Sequence, residues 1–245
     1  MHRIIKVKKS LILLILPFVF FGQDNDKQNS YYDWFDKVLG KEHTGLYNGK
    51  QYVDLDVNRI YENKNAFFLS DKVMLGSVTY DGQTYYNIGM KYNLEKDMLL
   101  VALKSATTAS TIQLISDKIE EFVIEDFRFK RVVGSFEEGD LINGFYQVLV
   151  ENSSYSLLKK HKKNRRKIIQ AGKLVSYKFV SDNSYILFVN QGFKKITTKA
   201  DIINIYPIHK KEIKEFYEAY KRLRKSDPDQ FMQRLFRRVI NSSSL

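Results

Sequence analysis

The chain has 245 residues, 44% of them hydrophobic and 14% aromatic, with 16 tyrosines and 17 phenylalanines against 3 prolines; such a composition excludes a disordered polymer and favours strands. Its formal net charge of +12 bears on anionic partners and solubility, not on fold. There is no cysteine, which excludes disulfides, thiolate metal sites, cysteine catalysis and lipidation at a processed leader.

Residues 1–22 carry a signal-peptide pattern. Arg3, Lys6, Lys8 and Lys9 precede Leu11–Phe21, eleven apolar residues including a proline. A spanning helix needs about 20 residues, so this run is too short for one. Cleavage after Gly22 is expected to leave Gln23 first, and losing four cations takes the mature chain from +12 to +8. The competing reading is an uncleaved N-terminal anchor. Residues 23–30 (QDNDKQNS) read as a short polar linker. The spacing of Tyr31, Trp34, Phe35 and Leu39 predicts a short amphipathic helix stopped by Gly40.

From there the period of two dominates. Leu46–Val53, with Asn48-Gly49 inside, reads as a tight hairpin or bent first strand, and Ala66–Leu69 as a further short one. The centre of the chain is Val73–Leu103. Its middle run places Thr84, Tyr86, Ile88, Met90 and Tyr92 on one face and Tyr85, Asn87, Gly89 and Lys91 on the other. With Asp81-Gly82 before it and Asn93–Asp97 after it, the stretch predicts a three-stranded meander. Ser105–Thr111 reads as a turn, Ile112–Ile115 as a strand, and Ile119–Val133 as one long strand with a bulge or edge near Glu125-Asp126. Gly134–Gly144 reads as an acidic loop. Phe145–Glu151 and Tyr155–His161 form an expected hairpin, and Lys163–Gly172 reads as irregular. Leu174–Val180, Tyr185–Val189 and Lys194–Thr197 supply three more strands.

At Thr198 the period becomes 3.6. Thr198 with Asp201 suggests a capping box for a helix ending near Tyr206-Pro207. Ile213, Phe216, Tyr217, Tyr220 and Leu223 form the apolar stripe of the next helix. Asp227, Pro228 and Gln230 open a last helix bearing Phe231, Leu235, Phe236 and Val239. The expected fold is mainly β within the α+β class: an antiparallel sandwich or open barrel of about ten strands, with two to three C-terminal helices packed on it. Residues 31–198 would form the β domain with its N-terminal helix, and residues 199–241 the docked helical segment.

The densest charge cluster is Lys159, Lys160, Lys162, Lys163, Arg165, Arg166 and Lys167. No aromatics interleave it, and export argues against nucleic acid. It is therefore the candidate anion-binding site, for anionic lipid, glycan or an acidic envelope protein; the alternative is a solvated loop whose charges discourage edge pairing. Asp54, Asp56 and Asn58 resemble the opening of a calcium loop, but Arg59 stands where glycine is needed and Asn65 where glutamate is. His43, His161 and His209 lack ligand spacing and read as surface residues. Glu120-Glu121, Glu125-Asp126 and Glu137-Glu138 are the only paired carboxylates that suggest hydrolysis, and neighbours on a strand face opposite ways. Gly-x-Ser-x-Gly and phosphate-cradling loops are absent. The tyrosines at 80, 85, 86, 92, 146, 155 and 177, with Phe145, read as core and cross-strand packing, with a ligand groove as the alternative.

The segments YNGKQY (47–52), GSVTYDGQTYYNIGMKYNLEKDMLLV (76–101), ISDKIEEFVIEDFRFKRV (115–132), GFYQVLVENSSYSLLKKHKK (144–163) and KADIINIYPIHKKEIKEFYEAY (199–220) together resemble a group of uncharacterised exported proteins of Bacteroidota. The signal end at Phe20–Gln23 is similar to signal peptides of that phylum. The resemblance spans about residues 45–225 and implies a periplasmic or envelope location; it carries no activity, cofactor or metal. The sequence thus favours a non-catalytic cell-envelope binding or assembly module. The alternatives are a lipid or lipopolysaccharide carrier with a basic headgroup loop, and a carboxylate-dependent hydrolase.

Overall fold

The computed structural model describes residues 45–54, 61, 65–104, 109–153, 155–169 and 175–241. The expected signal peptide, linker and Tyr31–Leu39 helix lie outside them, as do Asp56, Asn58 and His43. Among the described residues the protein is mainly β, with thirteen strands, eleven of them in one antiparallel sheet, followed by four C-terminal helices. The strands are β1 (Lys50–Gln51), β2 (Met74–Tyr80), β3 (Gln83–Asn93), β4 (Met98–Lys104), β5 (Ala109–Gln113), β6 (Ile119–Ile124), β7 (Phe127–Ser135), β8 (Leu141–Glu151), β9 (Tyr155–Lys160), β10 (Lys163–Ile169), β11 (Val175–Ser181), β12 (Ser184–Val189) and β13 (Gly192–Ile196). The large sheet runs β1-β5-β4-β3-β2-β6-β7-β8-β9-β12-β13, and β10 pairs with β11 as a separate ribbon.

The sheet curls. β3 and β8 are four positions apart in it, about 19 Å if flat, yet the Tyr92 ring lies 6.0 Å from that of Phe145. Tyr92, Phe122, Phe129 and Phe145 fill the concave side, all essentially inaccessible to solvent. Phe122 stacks on Phe129 at 4.8 Å while Tyr92 meets both edge-on, the geometries that ring quadrupoles favour. The Tyr92 hydroxyl donates to Asp97 Oδ1 at 2.5 Å. Tyr80, Tyr85, Tyr92, Phe145, Tyr146 and Tyr155 are buried, and Tyr86 and Tyr177 are half-buried.

A second curl lies at the other end. Val132, Ile142, Tyr146, Leu158 and Ile186 cluster on the opposite face of β7–β12, and Phe136 forms a parallel bridge to Phe193 of β13. The helices cover the remaining face. They are α1 (Lys199–Ile205), α2 (Lys210–Ala219), α3 (Lys221–Ser226) and α4 (Pro228–Asn241). α1 starts with the Thr198/Asp201 capping box. At the start of α4, Asp227 Oδ1 accepts from the Gln230 N–H at 2.9 Å, with Pro228 in the first turn. Phe231, Leu235, Phe236 and Val239 of α4 pack with Ile213 and Phe216 of α2 on Leu157, Leu187 and Ile196.

Several expected boundaries differ. Ile119–Val133 is two strands joined by a tight turn, with Glu125 in the left-handed region at φ 51°; no Gly, Asn or Pro marks it in the sequence. Leu46–Val53 contains a 3-10 turn and the two-residue β1, and Ala66–Leu69 only a single bridge, Phe67 to Asn93. Residues 109–113, read as mostly turn, form β5. Lys163–Ile169, read as irregular, is β10. In β3 the faces cross over at a bulge: Gly76 pairs with Ile88 but Val78 with Tyr85. Asn87 takes φ 54° there, so Tyr85 joins Ile88 and Met90 in the core.

Candidate anionic-partner interface

The seven cations between Lys159 and Lys167 do not form one patch. β9 is covered on both faces, so its lysines are drawn into the fold. Lys159, its side chain 8% exposed, bonds both Asp229 oxygens at 2.6 and 2.8 Å. Tyr185 donates to the same carboxylate at 2.6 Å; burial, then that hydrogen bond, pushes its ionisation well up. On the opposite face, Lys160 Nζ bonds Asp97 Oδ2 at 2.6 Å and the Phe145 carbonyl at 3.2 Å. Burial lowers its pKa, with the Asp97 carboxylate opposing.

β10 alternates. Lys163 donates to the carbonyls of Asn65 and Phe67 at 2.7 and 2.9 Å, and burial lowers its pKa. Arg165 forks onto Glu95 through two bonds of 2.7 Å and lies over Tyr61 and Phe179. These four cations tie the β9–β10 segment to the rest of the molecule. Lys162, Arg166 and Lys167 are exposed.

The histidines also depart from the surface reading. His161 lies edge-on to Phe68 at 5.0 Å and tilted against Phe129 at 5.8 Å. Its Nε2 meets Gln147 Oε1 at 2.6 Å. Burial, with Lys159, Lys160 and Lys163 nearby and Asp229 only partly opposing, lowers its pKa to about 4. His209 pairs with Glu212 at 3.2 Å, and its side chain is 14% exposed.

The carboxylate pairs are dispersed. Glu121 accepts from Arg128, Glu125 sits in the β6–β7 turn, and Glu137 pairs with Lys194. No group of three or more His, Asp or Glu suited to a metal ion occurs among the described residues.

The cationic surface that the sequence reading passed over is the outside of the helical layer. Residues 210–241 hold ten Lys and Arg against five Asp and Glu. Three of those acids are engaged: Asp229 by Lys159, Asp227 in capping α4, and Glu212 by Arg238 at 2.7 Å. Lys221, Arg222, Arg224 and Lys225 are exposed on α3, and Arg234 and Arg237 on the side of α4 opposite its buried stripe. Ile208, beside Lys210 and Lys211 in sequence, is 93% exposed. The signal was legible as KRLRK at 221–225; only the inward-facing stripe of these helices was read.

No protein-family model, curated protein or solved structure matches the chain. No helix among the described residues is long and apolar enough to cross a membrane.

Proposed function

We propose that the protein is a non-catalytic module of the cell envelope that docks on an anionic lipid surface through the outer face of its helical layer. The observation that carries this reading is the six exposed cations of α3 and α4 besides the Glu212-paired Arg238, within residues 210–241 that hold twice as many cations as acids. Near an anionic bilayer each such cation contributes about 1 kcal/mol, and the effect decays within a Debye length. Ile208, exposed between Pro207 and Lys210, supplies an apolar side chain that can enter the interface, as hydrophobic residues of peripheral proteins do. The packed aromatic core favours an interaction module over a carrier whose sheet encloses a lipid. The export signature at residues 1–22 supports an envelope location and makes lipopolysaccharide or phospholipid the anionic surface at hand.

The test is sedimentation of residues 23–245 with phosphatidylglycerol and with phosphatidylcholine vesicles over a salt series. Binding to the anionic vesicles alone, weakening as salt rises and lost when Lys221, Arg222, Lys225, Arg234 and Arg237 become glutamine, is the expected result. Equal binding to both vesicles, or binding unchanged in that variant, would refute it.

A further inference from the structure

The concave face of the curled sheet continues past its covered core. Phe129 of β7 and Phe145 of β8 lie in that core, and strand alternation puts Val133 and Leu141 on the same side. Val132 and Ile142, beside them in sequence, belong to the cluster on the other face. Val133 is nevertheless 60% exposed and Leu141 85%. Val133 pairs with Asn143 and Leu141 with Ser135, so the two side chains are diagonal neighbours across the ladder. Scattered apolar residues on an outer face are ordinary; here the inner face runs out uncovered. Ile115, 42% exposed, joins this rim, because the turn Ser116–Lys118 that follows it ties Asp117 to Arg131.

The described chain starts near this end of the sheet. A side-chain carbon on Gly45 would lie 3.6 Å from the Tyr85 hydroxyl, which donates to Gln83 at 3.3 Å. Gln83 pairs with Tyr80, and Tyr80 with Ile119. Ile119 stands two residues before Glu121, the partner of Lys130, and is thus level with Val132. Three strand spacings, about 14 Å in a flat sheet, separate Gln83 from that level, and curling shortens the path. Residues 40–44 reach up to about 17 Å when extended. Before them comes YYDWFDKVL at 31–39, whose Tyr31, Trp34, Phe35 and Leu39 share one helical face. A helix this short is not stable alone in water, so its apolar stripe requires a surface to lie on.

We infer that residues 31–39 pack as an amphipathic helix on this rim, with the stripe of Trp34 seated on Val133, Leu141 and Ile115, and close the aromatic core at that end. The occupant is the chain's own segment because the short tether at 40–44 holds it at an effective concentration on the order of millimolar, which a separate chain does not match. The rim shares no residue with α3 or α4, so this inference and docking on lipid can fail separately.

Trp34 is the one tryptophan of the chain, so the fluorescence of residues 23–245 reports its surroundings directly. The expected emission is blue-shifted from that of the urea-unfolded chain and shielded from acrylamide, equally at every dilution. Changing Val133 and Leu141 together to glutamate should shift the emission to the unfolded position and restore quenching. Leu75→Glu, at the far end of β2 and 63% exposed, should change neither. All three side chains are exposed, so these variants keep the fold, which circular dichroism verifies. The chain has no cysteine, so a nitroxide can be placed on Asn143→Cys alone, the exposed residue paired with Val133; it should quench Trp34, and a nitroxide on Leu75→Cys should not. A solvent-exposed Trp34 in the parent protein would overturn the inference. So would shielding that survives the Val133 and Leu141 changes, or shielding lost on dilution, the mark of a second copy on the rim.

Discussion

Acid sets a clear test of the aromatic core of the curled sheet. His161 is held neutral: it lies against Phe68 and Phe129, bonds Gln147 and has Lys159, Lys160 and Lys163 close by, with Asp229 as the one opposing carboxylate. Its folded pKa of about 4 is below the unfolded value of 6.5. A group depressed in this way is protonated more in the unfolded chain across that window. Its stabilisation is therefore complete above pH 6.5 and is lost as pH falls toward 4. The full difference corresponds to about 3 kcal/mol, of which about 2 kcal/mol is gone by pH 5. With a urea dependence of about 2 kcal/mol per molar, the unfolding midpoint should drop by about 1 M between pH 7.5 and pH 5. His161→Gln keeps a partner for Gln147 and removes the titration. Its midpoint starts lower but should move much less over the same interval, since the stabilised carboxylates Glu151, Glu212 and Asp201 titrate mainly below pH 5. Equal pH shifts in the two proteins would refute this account of His161.

Three further outcomes follow from single contacts. Asp229→Asn should cost about 3 kcal/mol in urea unfolding, because it leaves the Lys159 ammonium buried without its counter-charge; a loss below about 1 kcal/mol would contradict that. At Gly144, φ is 129° and an added Cβ would lie 2.0 Å from Asp97 Oδ2, whereas at Gly139, φ 92°, it would meet nothing within 4 Å. Gly144→Ala should therefore destabilise by more than about 2 kcal/mol and Gly139→Ala by about 1 kcal/mol, read from the same unfolding curves. Thr198→Ala removes the hydroxyl acceptor of the α1 capping box and should cost about 1 kcal/mol, or about 3 °C in melting temperature by circular dichroism.

What the sequence disclosed divides along the range of the interactions. Local chemistry was legible: Thr198 with Asp201, Asp227 with Pro228, the apolar stripe of α4, and the Asp81-Gly82 turn all act within a few residues. The class, strands first and helices last, followed from the change of period. Features that break the period were hidden. The bulge at Asn87 moves Tyr85 to the core, and the Glu125-Asp126 turn has no Gly, Asn or Pro to mark it. β10 escaped notice because charges, not alternating apolar side chains, hold it in place. The partners of four of the seven candidate cations were hidden for the same reason. A run of lysines reads as a free patch until Asp97, Asp229 and Glu95, more than sixty residues away in sequence, are found beside Lys160, Lys159 and Arg165. Lys162, Arg166 and Lys167 stay exposed, and the exposed cations of α3 and α4 lie at positions defined only once the buried stripe is assigned.

The most direct test of the central claim compares two variants of identical net charge. One replaces Lys221, Arg222 and Arg237 with glutamine on the helical face; the other replaces Lys162, Arg166 and Lys167, the exposed remainder of the basic run. Affinity for phosphatidylglycerol vesicles at fixed salt is the readout. At about 1 kcal/mol per cation, the helical variant should bind roughly 100-fold more weakly, and the other within about threefold of the parent. Equal weakening of the two would mean that net charge alone drives binding, and a larger loss in the second would return the site to the β9–β10 segment; either result contradicts docking through the helical layer.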